Sequence, residues 1–566
     1  MKKISILILL AVTLAMACNK DYEAVPLEEV TIEYVFDKDD SLGTYANKFL
    51  NSVYQKLPAG YNRISGDLLD AASDDAVSGL TGTSVASQLA SGAYTSAALI
   101  ADESPWNNAY AAIRAASLFV SNIDVSPVKE TLANGKSIRY AWKAEARFIR
   151  ALFYFELLKR YGGIPLMGDK VRALGEDVEV PRGTFEACVN YIVAECDAIK
   201  DSLRTNPVMM PEVHSHRATR GAAQALKARV LLYAASPLFN GENIEPSNNL
   251  TGYTTFDKAR WKLAADAARE IMTEGKFGLV SNFKNVFITQ NNGEVIFFRQ
   301  GGDNTNIETA NSPIGLPVLS RGRTNPTQEL VDAFPMANGL PITDAASGYN
   351  ANNPYTGRDP RLTMSIFYNG ARWLNTDIQT YEGGGSKPGG AEPGSKTSYY
   401  MRKFMGNFEN ASQYANTSHD WVMFRYAEVL LNFAEAENEY NGATADVYKA
   451  IRDVRARAGI AAGADGSYGL RANMSPAEMR AVIRNERRIE LAFEEHRYWD
   501  IRRWKIAQSV FQQPLTGMSI LLDGMGLTYT RVPVSRVTFA APRMYLYPIP
   551  YGEVVKNDNM RQNPGW

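Results

Sequence analysis

The chain reads as a mainly α protein with long irregular excursions. Helical periodicity fills several long stretches, glycine- and proline-rich segments separate them, and only two short runs have strand character. Between Ala141 and Tyr161, Phe148, Leu152, Phe155 and Leu158 recur at spacings of four and three, with Ile149, Phe153 and Leu157 as a second stripe beside them. A helix apolar on two adjacent faces is buried between other helices. From Thr219 to Ala235 the sequence is alanine-rich, with Ala222, Leu226, Val230 and Tyr233 on one face, and small residues let helices approach closely. Further helices are predicted near 184–203, 255–274, 421–440, 444–458 and 476–508.

Residues 78–105 are rich in Ser, Gly, Thr and Ala, 300–326 carry Asn, Gly and Pro, and 370–398 hold Gly383-Gly384-Gly385 and Pro388-Gly389-Gly390. Long loops inside a domain are uncommon unless they are functional or disordered. Val295-Ile296-Phe297-Phe298 and the stretch around Tyr545-Leu546-Tyr547 are the two expected strands. No exact internal repeat is present, although successive helix pairs can hide a degenerate one.

The 566 residues are 45% hydrophobic, enough for a large core. With 60 basic and 61 acidic residues there is no basic footprint for nucleic acid. The 29 Tyr and 8 Trp suit surfaces that grip apolar faces while hydrogen-bonding, though most belong to a core. Cys188 and Cys196 stand eight residues apart on a predicted helix. That is a rise of about 12 Å, beyond the reach of a disulfide, so both are read as small core residues.

The amino terminus reads Met1-Lys2-Lys3, an apolar run from Ile4 to about Ala15, then Ala17-Cys18. A positive start, a short apolar segment and small residues make a secretion signal. The run is shorter than the roughly 20 apolar residues of a membrane-spanning helix. Ending in Ala-Cys, it fits the bacterial lipoprotein pattern, with residues 1–17 removed and Cys18 acylated. Where that pattern usually has Leu, three residues before the cysteine, this chain has Ala15. The alternative is an ordinary signal with Cys18 incidental. Residues 18–40 form the expected tether, and 41–566 one domain. Asn19-Lys20-Asp21-Tyr22-Glu23 is similar to the signal that sends lipoproteins of the Bacteroidetes to the outer face of the outer membrane. A lipid tether holds a domain at a bilayer without spanning it.

Several blocks, in order along nearly the whole mature chain, resemble the SusD/RagB family of outer-membrane nutrient-binding lipoproteins. They are Ala144-Glu145-Ala146-Arg147-Phe148-Ile149-Arg150-Ala151 leading to Tyr161-Gly162-Gly163-Ile164-Pro165-Leu166, Ala228-Arg229-Val230-Leu231-Leu232-Tyr233-Ala234-Ala235-Ser236-Pro237, and Pro326-Thr327-Gln328-Glu329-Leu330-Val331-Asp332-Ala333-Phe334. Arg358-Asp359-Pro360-Arg361, Arg425-Tyr426-Ala427-Glu428-Val429-Leu430-Leu431 and Val454-Arg455-Ala456-Arg457-Ala458-Gly459 follow. Glu486-Arg487-Arg488-Ile489-Glu490-Leu491 then leads into Arg497-Tyr498-Trp499-Asp500, and Gln562-Asn563-Pro564-Gly565-Trp566 closes the series. The resemblance implies a scaffold of tetratricopeptide-like helix pairs carrying a loop-rich, ligand-binding half. It also implies a partner, a SusC-like TonB-dependent outer-membrane transporter over which the lipoprotein acts as a lid, and ligands that are oligosaccharides or, in some members, peptides.

An enzyme is weighed against this. Glu486, Glu490 and Glu494 fall at i, i+4 and i+8, and glycoside hydrolysis needs two carboxylates facing a cleft, one with a raised pKa. Arg487 and Arg497 lie three residues from Glu490 and Glu494, beside a stripe of Arg484 and Arg488. Pairing at that spacing keeps the acids ionised and structural. His214 and His216 are a possible metal pair that nothing nearby completes, and HExxH, P-loop, GxSxG and paired CxxC motifs are absent. No cofactor is expected. A structural calcium at Asp67, Asp70, Asp74 and Asp75 is allowed, but no EF-hand loop surrounds them, and a polar helix end is the competing view.

Sugar binding needs flat aromatic faces with amide, carboxylate or guanidinium groups, on loops held by a rigid frame. The candidates are Trp373, Asn375, Asp377 and Tyr381 in or beside the glycine-rich loop, Tyr94 in 78–105, and Asn304, Asn306 and Arg321 in 300–326. Ordinary loop packing is the competing view for each. Trp106, Tyr110, Tyr399 and Tyr400 read as framework. The remaining alternatives are a surface glycoside hydrolase and an adhesive surface protein. If Cys18 is lipidated, globomycin, which blocks lipoprotein signal cleavage, is expected to make the uncleaved precursor accumulate; unchanged processing would remove the anchor.

Overall fold

A computed structural model describes residues 31–132, 135–173, 175–176, 179–205, 216–387 and 394–566. The signal segment, Cys18, the tether up to residue 30, His214 and Pro388-Gly389-Gly390 lie outside the described residues.

The helices stack in one continuous series. Helices α1 (Trp106–Asn122), α2 (Ile138–Tyr161), α3 (Phe185–Ile199), α4 (Arg220–Ala235) and α5 (Ala259–Glu274) each pack against the next. The following layer on α5 comes from far along the chain: α6 (Tyr426–Asn441), against which α7 (Ala445–Ala458) and α8 (Pro476–Glu490) pack. Among the described residues, no helix is long and apolar enough to cross a membrane.

Local chemistry sets these helices. Thr184, Thr219 and Thr444 cap α3, α4 and α7 by accepting from the backbone N–H three residues on, and Ser475 with Glu478 forms a reciprocal capping box on α8. Both predicted stripes of α2 are buried. Its end at Gly162-Gly163 is sterically dictated. Gly162 has φ +74° and a Cβ there would lie 2.4 Å from the Leu250 carbonyl oxygen, while one on Gly163 would lie 2.1 Å from that of Gly183. Cys188 and Cys196 are buried and unpaired on α3.

Between α5 and α6 the chain makes its long excursion. It leaves along β1 (Val295–Arg299) and returns along β2 (Trp421–Arg425), an antiparallel ladder with Trp421 opposite Arg299 and Arg425 opposite Val295. The excursion holds short helices and two- or three-residue strands, and Thr324–Pro326 pairs with Ala76–Ser78 near the start of the 78–105 segment.

Three expected elements differ. The first five residues of the 421–440 helix are strand β2. The 476–508 helix stops at Glu490, turns through Leu491–Glu495 with Phe493 and Glu495 at φ 65° and 62°, and resumes as α9 (His496–Arg503). Distant groups hold that break: the Lys403 ammonium donates to the Glu490 and Ala492 carbonyls (2.9 Å each), and Asp70 accepts from the Phe493 N–H (3.0 Å). Residues Arg543–Tyr545 form a 3-10 turn and not a strand, with Leu546 and Tyr547 buried and the Tyr547 N–H donating to the Arg160 carbonyl. A long hairpin of β3 (Leu515–Asp523) and β4 (Gly526–Ser535) is present that periodicity did not indicate.

A buried ionic cluster joins the excursion to the frame. Arg425, at the end of β2, donates to Glu294 (2.8 Å), Glu490 (2.7 Å) and Glu494 (2.7 Å). Arg361 pairs with Asp359, Glu486 and Glu490, Lys403 with Glu494, Arg455 with Glu486, and Arg457 with Glu294 and Glu490. Burial alone would push the Glu490 carboxyl up; Arg457, Arg425 and Arg361 outweigh it and hold it well below the usual range. The glutamates are structurally paired, as expected, but to distant arginines. Arg487 instead serves Asp500 (2.7 Å) and Arg497 serves Asp74 (2.8 Å), and Glu494 lies in the turn and off the helix.

Removing one partner of a buried ion pair strands the other charge. Arg425→Met is therefore expected to cost about 3–5 kcal/mol in denaturant unfolding, against under about 0.5 kcal/mol for Lys262→Ala at the exposed Lys262–Asp266 pair. Glu435 and Glu156 are raised by burial but pulled down to about 2 by Arg503 and by Lys159 with Arg160, respectively. Depressed carboxylates stabilise above their unfolded pKa of about 4.3, so the urea midpoint should hold near pH 6 and fall from about pH 5 to about pH 2.

Candidate functional site

The outer side of the excursion brings two of the expected ligand segments, 300–326 and 370–398, together with a third, 405–420, that the sequence did not single out. Asp303–Asn304 pairs with Thr417–Ser418, which ties the 300–326 loop to the 405–420 segment. Under that ladder, the buried His419 ring nitrogen Nε2 lies 2.9 Å from the Glu308 carboxylate and 3.0 Å from the Thr417 hydroxyl. The 370–398 segment contributes a hairpin, Arg372–Trp373 with Thr376–Asp377. Its turn places Leu374 and Asn375 at φ 49° and 60°, the left-handed pair that a two-residue hairpin requires. Backbone donations from Leu374 to Phe408 (3.0 Å) and from Asn375 to Glu409 (3.1 Å) dock it beside the 405–420 segment.

Tyr414 joins all three. Its hydroxyl accepts from the Trp373 indole N–H (3.3 Å) and lies 3.1 Å from the Ser320 hydroxyl, while the neighbouring Arg321 N–H donates to the Thr309 carbonyl (2.9 Å). On these segments Asn306, Arg321, Asn375 and Asp377 are exposed, as are Arg372 and Asn410, which share a 3.2 Å hydrogen bond. The face therefore presents amide donors and acceptors, two guanidinium groups and one carboxylate around a half-buried tyrosine. Such groups match sugar hydroxyls. Asp377 sits 3.7 Å from Arg372, and Glu308 is committed to His419.

Other candidates fall elsewhere. Trp373 is 0% exposed, packed by Phe367, Phe408 and Tyr414, with the Arg402 guanidinium 5.6 Å from its ring; it supports the face from beneath and offers no surface of its own. Tyr94 is 6% exposed and stacks on Trp566 at 5.1 Å, so it is framework. Asn304 spends its side chain on its own turn, accepting from the Asn306 N–H and donating to the Gly302 carbonyl. Tyr381 is half-buried next to the β3 hairpin, where the Glu382 N–H donates to Ile520. Trp106, Tyr399 and Tyr400 are buried, and the half-buried Tyr110 hydroxyl bonds the Pro165 carbonyl, as framework residues should. Tyr414, Arg372 and Asn410 were not singled out from the sequence. The available signal was one aromatic residue set among the amides and hydroxyls of 409–418.

Three of the four aspartates considered for calcium are engaged by protein groups, while the buried Asp67 carboxylate oxygens have no hydrogen-bond partner among the described residues. Asp74 accepts from Arg488 and Arg497, Asp75 from Arg488 (2.6 Å), and Asp70 from the Phe493 N–H. Desolvation pushes Asp67 up to about 7. Among the described residues, no three His, Cys, Asp or Glu side chains lie together as a metal site.

Residues 293–566 match the model of the SusD family, and residues 39–232 match that of a SusD-like group described as starch-binding and associating with the outer membrane. The SusD-like protein P2 of Formosa agariphila is 25% identical over 464 residues, covering 81% of this chain and 80% of that protein. A SusD-like protein of Bacteroides fragilis superposes with a TM-score of 0.75 at 26% identity, covering 96% of this chain and 100% of the other. A SusD-like carbohydrate-binding protein of the same species gives 0.71 at 25% identity, covering 92% and 99%. With both halves matched in order and the helical frame and excursion superposed over nearly the whole length, the chain belongs to the SusD/RagB family.

Proposed function

We propose that the protein is a cell-surface, lipid-anchored binding protein that captures oligosaccharides on the face around Tyr414 and passes them to a SusC-like TonB-dependent transporter. The observation that carries this reading is the joining of the 300–326 loop and the 372–377 hairpin through Tyr414, with Arg321, Asn375 and Asp377 exposed on them. A relative described as carbohydrate-binding supports the ligand class, and a family description of association with the outer membrane supports the location. The tether beginning at Cys18 supplies the anchor, with the protein facing the cell exterior. Binding proceeds without covalent chemistry, in keeping with the buried pairing of Glu486, Glu490 and Glu494.

The test is calorimetric titration of the mature protein, from Asn19 on, against a panel of oligosaccharides and peptides, with chromatography of each incubation. At least one oligosaccharide should bind. Tyr414→Ala and Arg321→Ala should each weaken it by about tenfold, equivalent to about 1.4 kcal/mol, with an unchanged circular dichroism spectrum. Unchanged affinity in both variants would move the site elsewhere. Shorter products would make the protein an enzyme, and binding of peptides alone would replace the sugar by a peptide.

A further inference from the structure

A cleft of about 620 Å³ opens on the helical frame, away from the loop face, between the end of α4, the 237–261 segment, α6, α8 and Trp504. Its charges account for themselves with one exception. Glu435 is taken by Arg503 and by the Trp504 indole N–H (2.7 Å), and Glu439 by Arg480 (2.5 Å). Lys258 and Glu242 line the rim, both exposed, Lys258 over the Tyr440 ring and Glu242 beside Lys505. Arg484 is left over. Among the described residues it forms no salt bridge and no hydrogen bond; its guanidinium rests 4.6 Å from the Trp504 ring, and its Nε is sealed from solvent without an acceptor there. Arg480, Arg487 and Arg488, on the same helix, each hold a carboxylate.

Burial pulls the Arg484 guanidinium below the ordinary arginine value, with Glu435 opposing and Arg503 adding to the effect. A guanidinium stays charged regardless, so the cleft carries one partly desolvated cation with no direct salt-bridge partner among the described residues. Its planar fork suits a two-oxygen anion. Phe256, with 63% of its surface exposed, lines the same cleft and offers it a flat apolar face. The volume falls within the range of small-ligand sites, about 300–1,000 Å³.

We propose that this cleft is a second ligand site, for a pyranose bearing an acidic substituent, carboxylate or sulfate, whose anionic group pairs with Arg484 and whose ring lies on Phe256. It is independent of the loop face and stands or falls separately from it.

The probes are glucose, glucuronic acid, glucose 6-sulfate, acetate and inorganic sulfate, titrated into the mature protein and followed by ligand-observed NMR. At least one acidic sugar should bind about tenfold or more tightly than glucose, and which one binds distinguishes carboxylate from sulfate. Arg484→Gln should abolish that preference, Arg484→Lys should retain part of it, and Phe256→Ala should weaken the sugars more than the inorganic anions. Tyr414→Ala should leave it unchanged, which separates this site from the loop face. The proposal is overturned by equal binding of glucose, by an unaltered preference in Arg484→Gln, by loss in Tyr414→Ala, or by acetate and sulfate binding as tightly as the sugars, the signature of an adventitious ion only.

Discussion

Arg425 is the residue on which the two halves of the molecule converge. It sits where the excursion re-enters the helical frame, and its guanidinium is shared among carboxylates from the start of β1, from α8 and from the turn after it. A charge buried this deeply is tolerable only when its hydrogen bonds are complete. Completing them requires β1, β2, α8 and the Leu491–Glu495 turn to be in register together. The cluster therefore acts as a test of assembly: partial arrangements leave unpaired charge in a dry interior. Arg361 and Lys403 extend the same requirement into the excursion.

That arrangement also explains how loops with little secondary structure present a defined face. The segments around Tyr414 are tied by two-residue ladders, by the His419–Glu308 pair and by aromatic packing around Trp373. The exposed groups of the proposed binding face sit on loops, while the positions of those loops are set by groups that never touch solvent.

Much of the frame was legible because its signals are local. Stripes such as Phe148, Leu152 and Phe155, caps such as Thr184 and Ser475, and the Gly162-Gly163 stop act within a few residues of where they are written. The break after Glu490 was not legible, because Lys403 and Asp70 create it from far along the chain. The β3–β4 hairpin alternates too weakly between buried and exposed residues to stand out from loop. At the candidate face, composition identified the segments but not the inward or outward sense of each aromatic. Trp373 lies in a glycine-rich, polar neighbourhood and still points into packing, whereas Tyr414 mediates the contacts among the loops. That sense depends on neighbours such as Phe408 and Arg402 that pattern alone does not bring near.

The β1–β2 ladder has a consequence for how such a molecule diversifies. Arg299 and Trp421 sit opposite each other, so everything between them is, thermodynamically, one closed loop on a finished scaffold. Doubling the length of a closed loop costs only about 0.6 kcal/mol in closure entropy. Outside the ionic cluster, the 324–326 ladder and buried positions such as Leu330, Leu362, Ile366 and Tyr400, the exposed stretches of residues 300–420 can be lengthened, shortened or rewritten without renegotiating the packing of α5 on α6. Selection on the chemistry that the exposed outer face presents is thereby loosened from selection on whether the chain folds.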